Sequence, residues 1–228
     1  MIYENEEDKN KYKIEYIGEK LTKDLKVYKV IIIGMLGVGK TSIIHSLMNN
    51  EVDKEYSPTM SLDIKHIQAK VNDKIIQIQI WDSCGNDKLA QQMPNLFKDA
   101  FIAIIVYAIN NKKSFEELKK WYNLVKEYSF DNIIFLIGNK SDLEEEREIT
   151  KENVETFKND YDDIKIFFET SALNHENMDK LLDNIVISIY EKDINDENKL
   201  DNAIKGGRIA LNKEEFTKKR KKKKKKFC

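Results

Sequence analysis

Cysteine, proline and long apolar runs are scarce in this sequence of 228 residues, and each scarcity argues against a class of protein. Two cysteines, Cys84 and Cys228, are too few for a disulfide framework, so we expect a reducing compartment. No run of about 18 apolar residues occurs, so we expect no membrane-spanning helix. Met1 is followed by Ile2 rather than glycine, and we expect neither a myristoylation site nor a signal peptide. Two prolines and 41% apolar residues fit a folded body.

The sequence as a whole also has no large excess of either charge, since it contains 39 basic and 40 acidic residues. The charges are unevenly distributed, however. Residues 218–226 are nine consecutive cations, and the rest of the chain carries about ten more acidic than basic residues. An acidic body with a basic tail favours an anionic surface as partner, and each lysine near an anionic leaflet contributes about 1 kcal/mol. We therefore predict that residues 218–228 bind a membrane, and we expect no specific nucleic-acid partner. A solvated run resembling a nuclear address is the alternative.

A glycine-rich motif separates a predicted strand from a predicted helix. Residues 34–41 read G-x-x-x-x-G-K-T, the β-branched apolar run 27–33 precedes them, and apolar residues at helical spacing follow. The backbone N–H groups of such a loop turn inward and the helix start adds a positive dipole end, so the loop holds a phosphate closely. The alternative is a glycine-rich turn that matches by chance. The nucleotide-binding residues predicted here are Gly34, Leu36, Gly37, Val38, Gly39, Lys40, Thr41 and Ser42.

Three side chains are candidate ligands of a Mg²⁺ ion beside these phosphates. The Thr41 hydroxyl follows Lys40, whose ammonium would reach the β- and γ-phosphates. Asp82 ends a strand of alternating polarity, a position suited to holding the water shell of the metal. Thr59 lies in the polar loop 51–60, where its hydroxyl would complete the shell and its N–H would contact a γ-phosphate, although a threonine after a proline is usually just a strand start. We predict Thr41, Thr59 and Asp82 as metal ligands.

Strands alternate with helices along most of the chain. Two arms, 62–71 and 74–82, flank the turn formers Asn72-Asp73 and predict a hairpin. Later buried strands are predicted at 101–107, 133–137 and 164–168, with helices at 114–128, near 150–160 and up to about Lys192. This order predicts an α/β fold with a doubly wound, mostly parallel sheet of six strands, flanked by helices and with one antiparallel edge strand.

The same pattern divides the chain into three parts. Residues 1–26 are a charged N-terminal extension without a sustained period, which we expect to be disordered or loosely packed. Residues 27–192 form the folded domain. Residues 193–228 are polar and then basic, and we expect a flexible tail.

Five motifs together resemble those of the small GTPases of the Ras superfamily, and most closely those of the Rab branch. Besides the phosphate loop they are Tyr-Ser-Pro-Thr at 56–59, Trp-Asp-Ser-Cys-Gly at 81–85, Asn-Lys-Ser-Asp at 139–142 and Thr-Ser-Ala at 170–172. The resemblance covers roughly residues 27–190. The Rab assignment depends on softer similarities at 60–64, 78–82, 106–110 and 114–116, and a Ras-like or Rho-like protein is the alternative.

The resemblance implies a P-loop small GTPase fold that binds GTP or GDP with Mg²⁺ and hydrolyses GTP to GDP in vesicle and membrane trafficking. Effectors, exchange factors and GTPase-activating proteins would bind through residues 51–62 and 83–98. The protein would lie in the cytoplasm, peripherally on the cytosolic face of an intracellular membrane.

The resemblance also implies which residues read the guanine base. Asn139 would bond the N7 edge, Lys140 would cover the ring, and Asp142 would accept from N1 and N2. The backbone N–H of Ala172 would donate to O6, and Ser171 is a further predicted binding residue. Adenine offers no donors to Asp142, and a buried acceptor left unpaired costs about 1–3 kcal/mol, so we expect adenine to be rejected.

The predicted catalytic residues are Lys40, Gly85 and Asn86, and Gly85 is also a predicted nucleotide ligand. The family usually places a glutamine after the glycine that matches Gly85, where it orients the attacking water. Asn86 is one methylene shorter, and Leu36 stands where the family has a small residue. We therefore expect slow hydrolysis, and a binding module that has lost turnover is the alternative. Val52 in place of an aromatic residue would also weaken nucleotide retention.

Cys228 is the predicted lipidation site. A single terminal cysteine matches neither the C-a-a-X pattern nor the paired cysteines that are common in Rabs. One lipid alone holds a membrane marginally, but one lipid together with a polybasic run supplies two signals.

Overall fold

In the computed structural model, residues 11–49, 52, 62–83, 94–129 and 131–205 are described. Their strands are β1 (Ile14–Gly18), β2 (Val27–Gly34), β3 (Asp63–Val71), β4 (Lys74–Asp82), β5 (Ile102–Ala108), β6 (Ile133–Asn139) and β7 (Ile164–Thr170). Within the described residues these seven strands form one sheet, in the order β1-β3-β4-β2-β5-β6-β7. The pairs from β4 to β7 are parallel, whereas β3 is antiparallel to both β4 and β1. The predicted α/β fold with a mostly parallel sheet is confirmed.

The apolar sequence of the central strands explains their place in the sheet. β5 is buried along its whole length and β2 is buried from Val30 to Gly34, as expected for parallel strands that are covered on both faces. The predicted hairpin is present as β3 and β4, and Asn72 makes the turn between them with a φ of 53°. Asparagine tolerates this left-handed conformation better than most residues.

Helices cover the sheet. They are α1 (Lys40–Leu47), α2 (Pro94–Phe97), α3 (Lys112–Glu116), α4 (Leu118–Tyr128), α5 (Lys151–Asp160) and α6 (Met178–Lys205), with a 3-10 helix at Ser141–Glu146. The fully buried Trp121 of α4 lies in one core cluster with Ile31 and Ile105. A capping box begins α5, in which Thr150 and Asn153 each accept from the backbone N–H of the other.

The sheet has one more strand than the six predicted, and the additional strand β1 comes from the supposed extension. Ile14 pairs with Val71 and Gly18 with Gln68, and the turn residue Asn72 donates its N–H to the Lys13 carbonyl at 2.9 Å. The expectation of a disordered or loosely packed segment is therefore wrong for residues 14–18. The strand is short and charged residues surround it, so its sequence shows no sustained period.

Thr22, which lies beyond β1, satisfies two buried glutamines. Its backbone N–H donates to the Gln77 side-chain oxygen, and the Gln77 amide donates back to the Thr22 carbonyl at 3.1 Å. The Gln68 amide donates to the Thr22 hydroxyl at 2.9 Å. Both glutamines are buried, so without Thr22 their amides would lack these partners.

Tyr16 joins β1 to the last helix. Its hydroxyl donates to the Asp183 carboxylate at 2.8 Å. Burial and the neighbouring Asp183 charge raise the pKa of Tyr16, so the hydroxyl remains a donor at neutral pH.

The last helix ends later than predicted. α6 continues to Lys205 rather than ending near Lys192, because no glycine or proline interrupts the sequence before Gly206. The compact unit that contains the sheet ends at Ile189, and the described residues 190–205, which are helical, belong to a second unit. Across the described part of the chain, no helix is long and apolar enough to cross a membrane.

We predict that deleting residues 1–26 lowers the free energy of unfolding by at least about 2 kcal/mol, because β1 pairing and the Thr22 bonds are lost together. Urea unfolding of the nucleotide-loaded protein measures the change. Deletion of residues 1–10 is the matched control, since it keeps β1 and Thr22. Equal urea midpoints for the two deletions would show that residues 11–26 add nothing to stability.

Candidate functional site

The glycines of the phosphate loop allow two close approaches of the chain. A Cβ on Gly34, at the end of β2, would collide with the Val106 carbonyl of β5. A Cβ on Gly39 would collide with the side-chain amide of Asn139. Both glycines have positive φ, 144° and 92°, which other residues rarely adopt. The motif glycines are therefore required by packing as well as by backbone conformation.

Lys40, which was predicted to bind phosphates, is buried against the phosphate loop. It is the first residue of α1, it is 5% exposed, and its ammonium donates to the carbonyls of Gly34 at 3.0 Å and Met35 at 3.1 Å. The positive charge is thus held where the loop and the start of α1 meet. A buried cation beside helix N–H groups forms an environment suited to anions.

The predicted metal ligands Thr41 and Asp82 are brought together. The Thr41 hydroxyl donates to Asp82 Oδ2 at 2.6 Å, which joins the start of α1 to the end of β4. Among the described residues, the buried Asp82 Oδ1 has no hydrogen-bond partner. Burial raises the pKa of Asp82, while the Thr41 hydroxyl and the Lys40 charge oppose the increase.

An unpartnered buried carboxylate oxygen beside a hydroxyl fits a hard cation. Mg²⁺ prefers oxygen ligands and is usually held by one or two protein groups together with water and substrate phosphates. In the described part of the chain, no group of three or more His, Cys, Asp and Glu side chains is placed to hold a metal. The Thr41 and Asp82 pair therefore fits a Mg²⁺ ion that also binds phosphate oxygens.

The Asn139 side chain connects three segments of the chain. Its Nδ2 donates to the Val38 carbonyl of the phosphate loop at 2.9 Å. Its Oδ1 accepts from the Ala172 backbone N–H at 3.2 Å and from the Thr170 hydroxyl at 3.3 Å. The predicted base-reading segments are thus joined to each other and to the phosphate loop.

Asp142 and Ser171, which lie on different segments, are also hydrogen-bonded, with the Ser171 hydroxyl donating to Asp142 Oδ1. Ser171 and Glu176 exchange backbone hydrogen bonds of 3.2 and 3.0 Å. The Ser141 hydroxyl donates to the Glu176 carboxylate. These bonds fix the Asp142 carboxylate at the start of the 3-10 helix. Lys140, just before it, has a left-handed φ of 69°.

One backbone N–H that was expected to contact the base has a partner within the protein instead. The Ala172 N–H, expected to meet guanine O6, donates to Asn139 instead. Both ends of the Asn139 amide also make bonds within the protein, so this amide joins the segments together. Its contact with the base remains a prediction.

Two residues that depart from the family pattern, Leu36 and Val52, lie within the described residues. Leu36 is 44% exposed on the phosphate loop. Val52 is partly buried. Ser42 follows Thr41 in the first turn of α1 and is partly buried.

Several predicted site residues lie outside the described residues. They are Thr59, Gly85 and Asn86, with Cys228 and the whole basic run. Most of the two predicted partner-binding loops, 51–62 and 83–98, also lies outside them. Their predicted roles therefore stay predictions.

Sequence reasoning missed Arg147. Its guanidinium contacts Glu144, Glu169 and the Ile149 carbonyl between the two base-reading segments. It stands in the charged stretch 144–148, which reads as a solvated surface. No signal in that stretch marks one arginine as structural.

Comparison with known families agrees with this geometry. The family model described as "Ras family" matches residues 29–191, which is well over half of the chain and includes the phosphate loop, Asp82 and both base-reading segments. Members of this family are GTPases that bind GTP or GDP with Mg²⁺. The chain therefore belongs to the Ras family, and is a small GTPase of the Ras superfamily.

Proposed function

We propose that this protein is a Rab-like guanine-nucleotide switch in membrane trafficking, which binds GTP with Mg²⁺ and hydrolyses it slowly. The observation that carries the nucleotide assignment is the bond from Asn139 to the Val38 carbonyl, at 2.9 Å. It holds a base-reading segment against the phosphate loop, and in our proposal one nucleotide would span both.

In this proposal, different residues bind the phosphates, the base and the Mg²⁺ ion. Lys40 and the first N–H groups of α1 would hold the phosphates, and Asp142 would accept from the guanine base. Thr41 and Asp82 would hold Mg²⁺, which when bound stabilises the negative charge that develops on the phosphates. Asn86 would orient the attacking water, and Thr59 would complete the metal shell.

The Rab assignment and the membrane location rest on the sequence. Residues 60–64, 78–82, 106–110 and 114–116 resemble Rab segments, and residues 218–226 are nine consecutive cations before Cys228. A polybasic run and one lipid together provide stable attachment to an anionic membrane. Effectors and regulators would bind through residues 51–62 and 83–98.

We predict that Asp142→Asn changes the preferred base from guanine to xanthine. The asparagine amide donates where the carboxylate accepted, and xanthine has an oxygen where guanine has its 2-amino group. We expect GTP affinity to fall at least about 100-fold, as for the loss of charged hydrogen bonds, while XTP affinity rises.

Competition against a fluorescent nucleotide measures both affinities. Asp163→Asn is the matched control, because Asp163 accepts from Lys126 and Tyr122 and is not among the predicted nucleotide ligands. If Asp142→Asn keeps the GTP preference, the guanine assignment is wrong.

Turnover depends on Leu36 and Asn86 in this proposal. Asparagine is too short by about 1 Å to place the water fully, and a misplacement of that size costs on the order of 10²-fold in rate. Leu36 would crowd the γ-phosphate side, where the family has a small residue. We expect Asn86→Gln with Leu36→Ser to raise single-turnover hydrolysis at least about tenfold, and by more than the product of the single changes.

The two single variants are the controls for this effect, and the GTP affinity of each protein is measured beside its rate. An unmodified protein that already hydrolyses GTP at the usual Rab rate would end the slow-switch proposal. No turnover in any variant would favour a nucleotide-binding module without hydrolysis.

The basic run predicts binding to anionic vesicles without a lipid anchor. Unlipidated protein should sediment with vesicles of about 30% phosphatidylserine, and replacing Lys221–Lys226 by glutamine should abolish this, since each lysine contributes about 1 kcal/mol. Neutral vesicles and high salt are the controls. If the glutamine variant binds the vesicles as well as the unmodified protein, the basic run is not the membrane-binding element.

A further inference from the structure

Arg147 uses every hydrogen-bond donor of its side chain. Nε donates to Glu144 at 2.9 Å, and Nη2 donates to Glu144 at 2.5 Å and to Glu169 at 2.7 Å. Nη1 donates to Glu169 at 2.7 Å and to the Ile149 carbonyl at 3.0 Å. A guanidinium has five N–H donors in a rigid fork, so all of them are satisfied within this cluster.

The two glutamates stand beside the two base-reading segments. Glu144 lies two residues after Asp142 in the 3-10 helix, and Glu169 lies two residues before Ser171 near the end of β7. The Asn177 side chain also donates to the Glu169 carbonyl at 2.8 Å, which ties the chain beyond Ser171 to the same place. Arg147 therefore joins the segment that carries Asp142 to the segment that carries Ser171.

The pair with Glu169 is the stronger half of this connection. The Arg147 and Glu169 side chains are only 16% and 18% exposed and form two parallel bonds, whereas Glu144 is 66% exposed. Bidentate pairs of this kind fix orientation as well as distance. The bonds to Glu169 and then Glu144 raise the pKa of Arg147, so it stays charged at any pH at which the protein is folded.

We propose that Arg147 is a positioning residue for guanine recognition, which sets the spacing between the segment of Asn139 and Asp142 and the segment of Ser171 and Ala172. This inference rests on the proposed guanine-nucleotide function. Arg147 itself does not touch the base, because its five donors are already used.

Two hydrogen bonds of the base site connect the same two segments that Arg147 connects. Ser171 donates to Asp142, and the Ala172 N–H donates to Asn139, so both depend on the spacing of the two segments. Without Arg147 the Asp142 carboxylate loses its fixed direction toward the guanine N1 and 2-amino groups. The bonds from Lys40 to the Gly34 and Met35 carbonyls lie within the phosphate loop and do not involve Arg147, so we expect the loss to fall mainly on the base-dependent part of affinity.

The test compares GDP with IDP, whose hypoxanthine base lacks the 2-amino group. Dissociation constants for both are measured on the full-length protein, together with the thermal midpoint. We expect Arg147→Met to lower the GDP-to-IDP preference about tenfold, the effect of one misplaced charged hydrogen bond. Arg147→Lys should lower it nearly as much, because a lysine cannot form the fork. Glu144→Gln should lower it less.

Lys126→Met is the matched control. It removes another ion pair, to Asp163 at 2.8 Å, on a different part of the same domain, so it reports the effect of lost stability alone. Its GDP-to-IDP preference should equal that of the unmodified protein.

The outcomes separate this inference from the proposed function. An Arg147→Met or Arg147→Lys variant that folds and weakens GDP and IDP equally, or changes neither, would show that Arg147 only stabilises the fold. An unmodified protein without any preference for GDP over IDP or ADP would instead overturn the guanine assignment itself. A lowered preference in the Arg147 variants alone supports the positioning role.

Discussion

The candidate site depends on one buried side-chain amide, that of Asn139. It emerges at the end of β6, donates to Val38 in the phosphate loop and accepts from Ala172 beyond β7. Because a buried polar group left unpaired costs about 1–3 kcal/mol, the three segments must keep their spacing for both ends of the amide to be satisfied. Gly39 is part of the same constraint, since any side chain there would displace the amide.

The parts of the fold that the sequence predicted are those with local signals. The run 27–33 and the glycines after it specify a buried strand followed by a tight loop, and Asn72-Asp73 specifies a hairpin turn. β1 was missed because its pairing depends on Val71, which is distant in sequence, and its own residues are too few to show a period. The end of α6 was missed because polar residues without glycine or proline read equally well as helix or as tail.

The sequence predicted several of the residues in the site, but it did not predict the hydrogen bonds that connect them. The sequence suggested Thr41 and Asp82 as metal ligands and Asp142 as the base reader, and the structure brings the first two within 2.6 Å of each other. It did not suggest that Ala172 donates to Asn139, nor that Arg147 spans the two base-reading segments. Such contacts are formed between segments that are distant in the sequence, so no local sequence pattern predicts them.

The placement of β1 also puts Lys13 at one end of the sheet. Lys13 bonds to Asn72 at the hairpin turn, and the turn lies one strand length from Asp82, about 26–27 Å for the eight steps of β4 at 3.3–3.4 Å per residue. The carboxyl ends of β2 and β6, with the phosphate loop and Asn139, are at the Asp82 end of the sheet. A fluorophore or surface linker attached at Lys13 therefore leaves the nucleotide entrance open, and immobilisation through this position presents that entrance to solution.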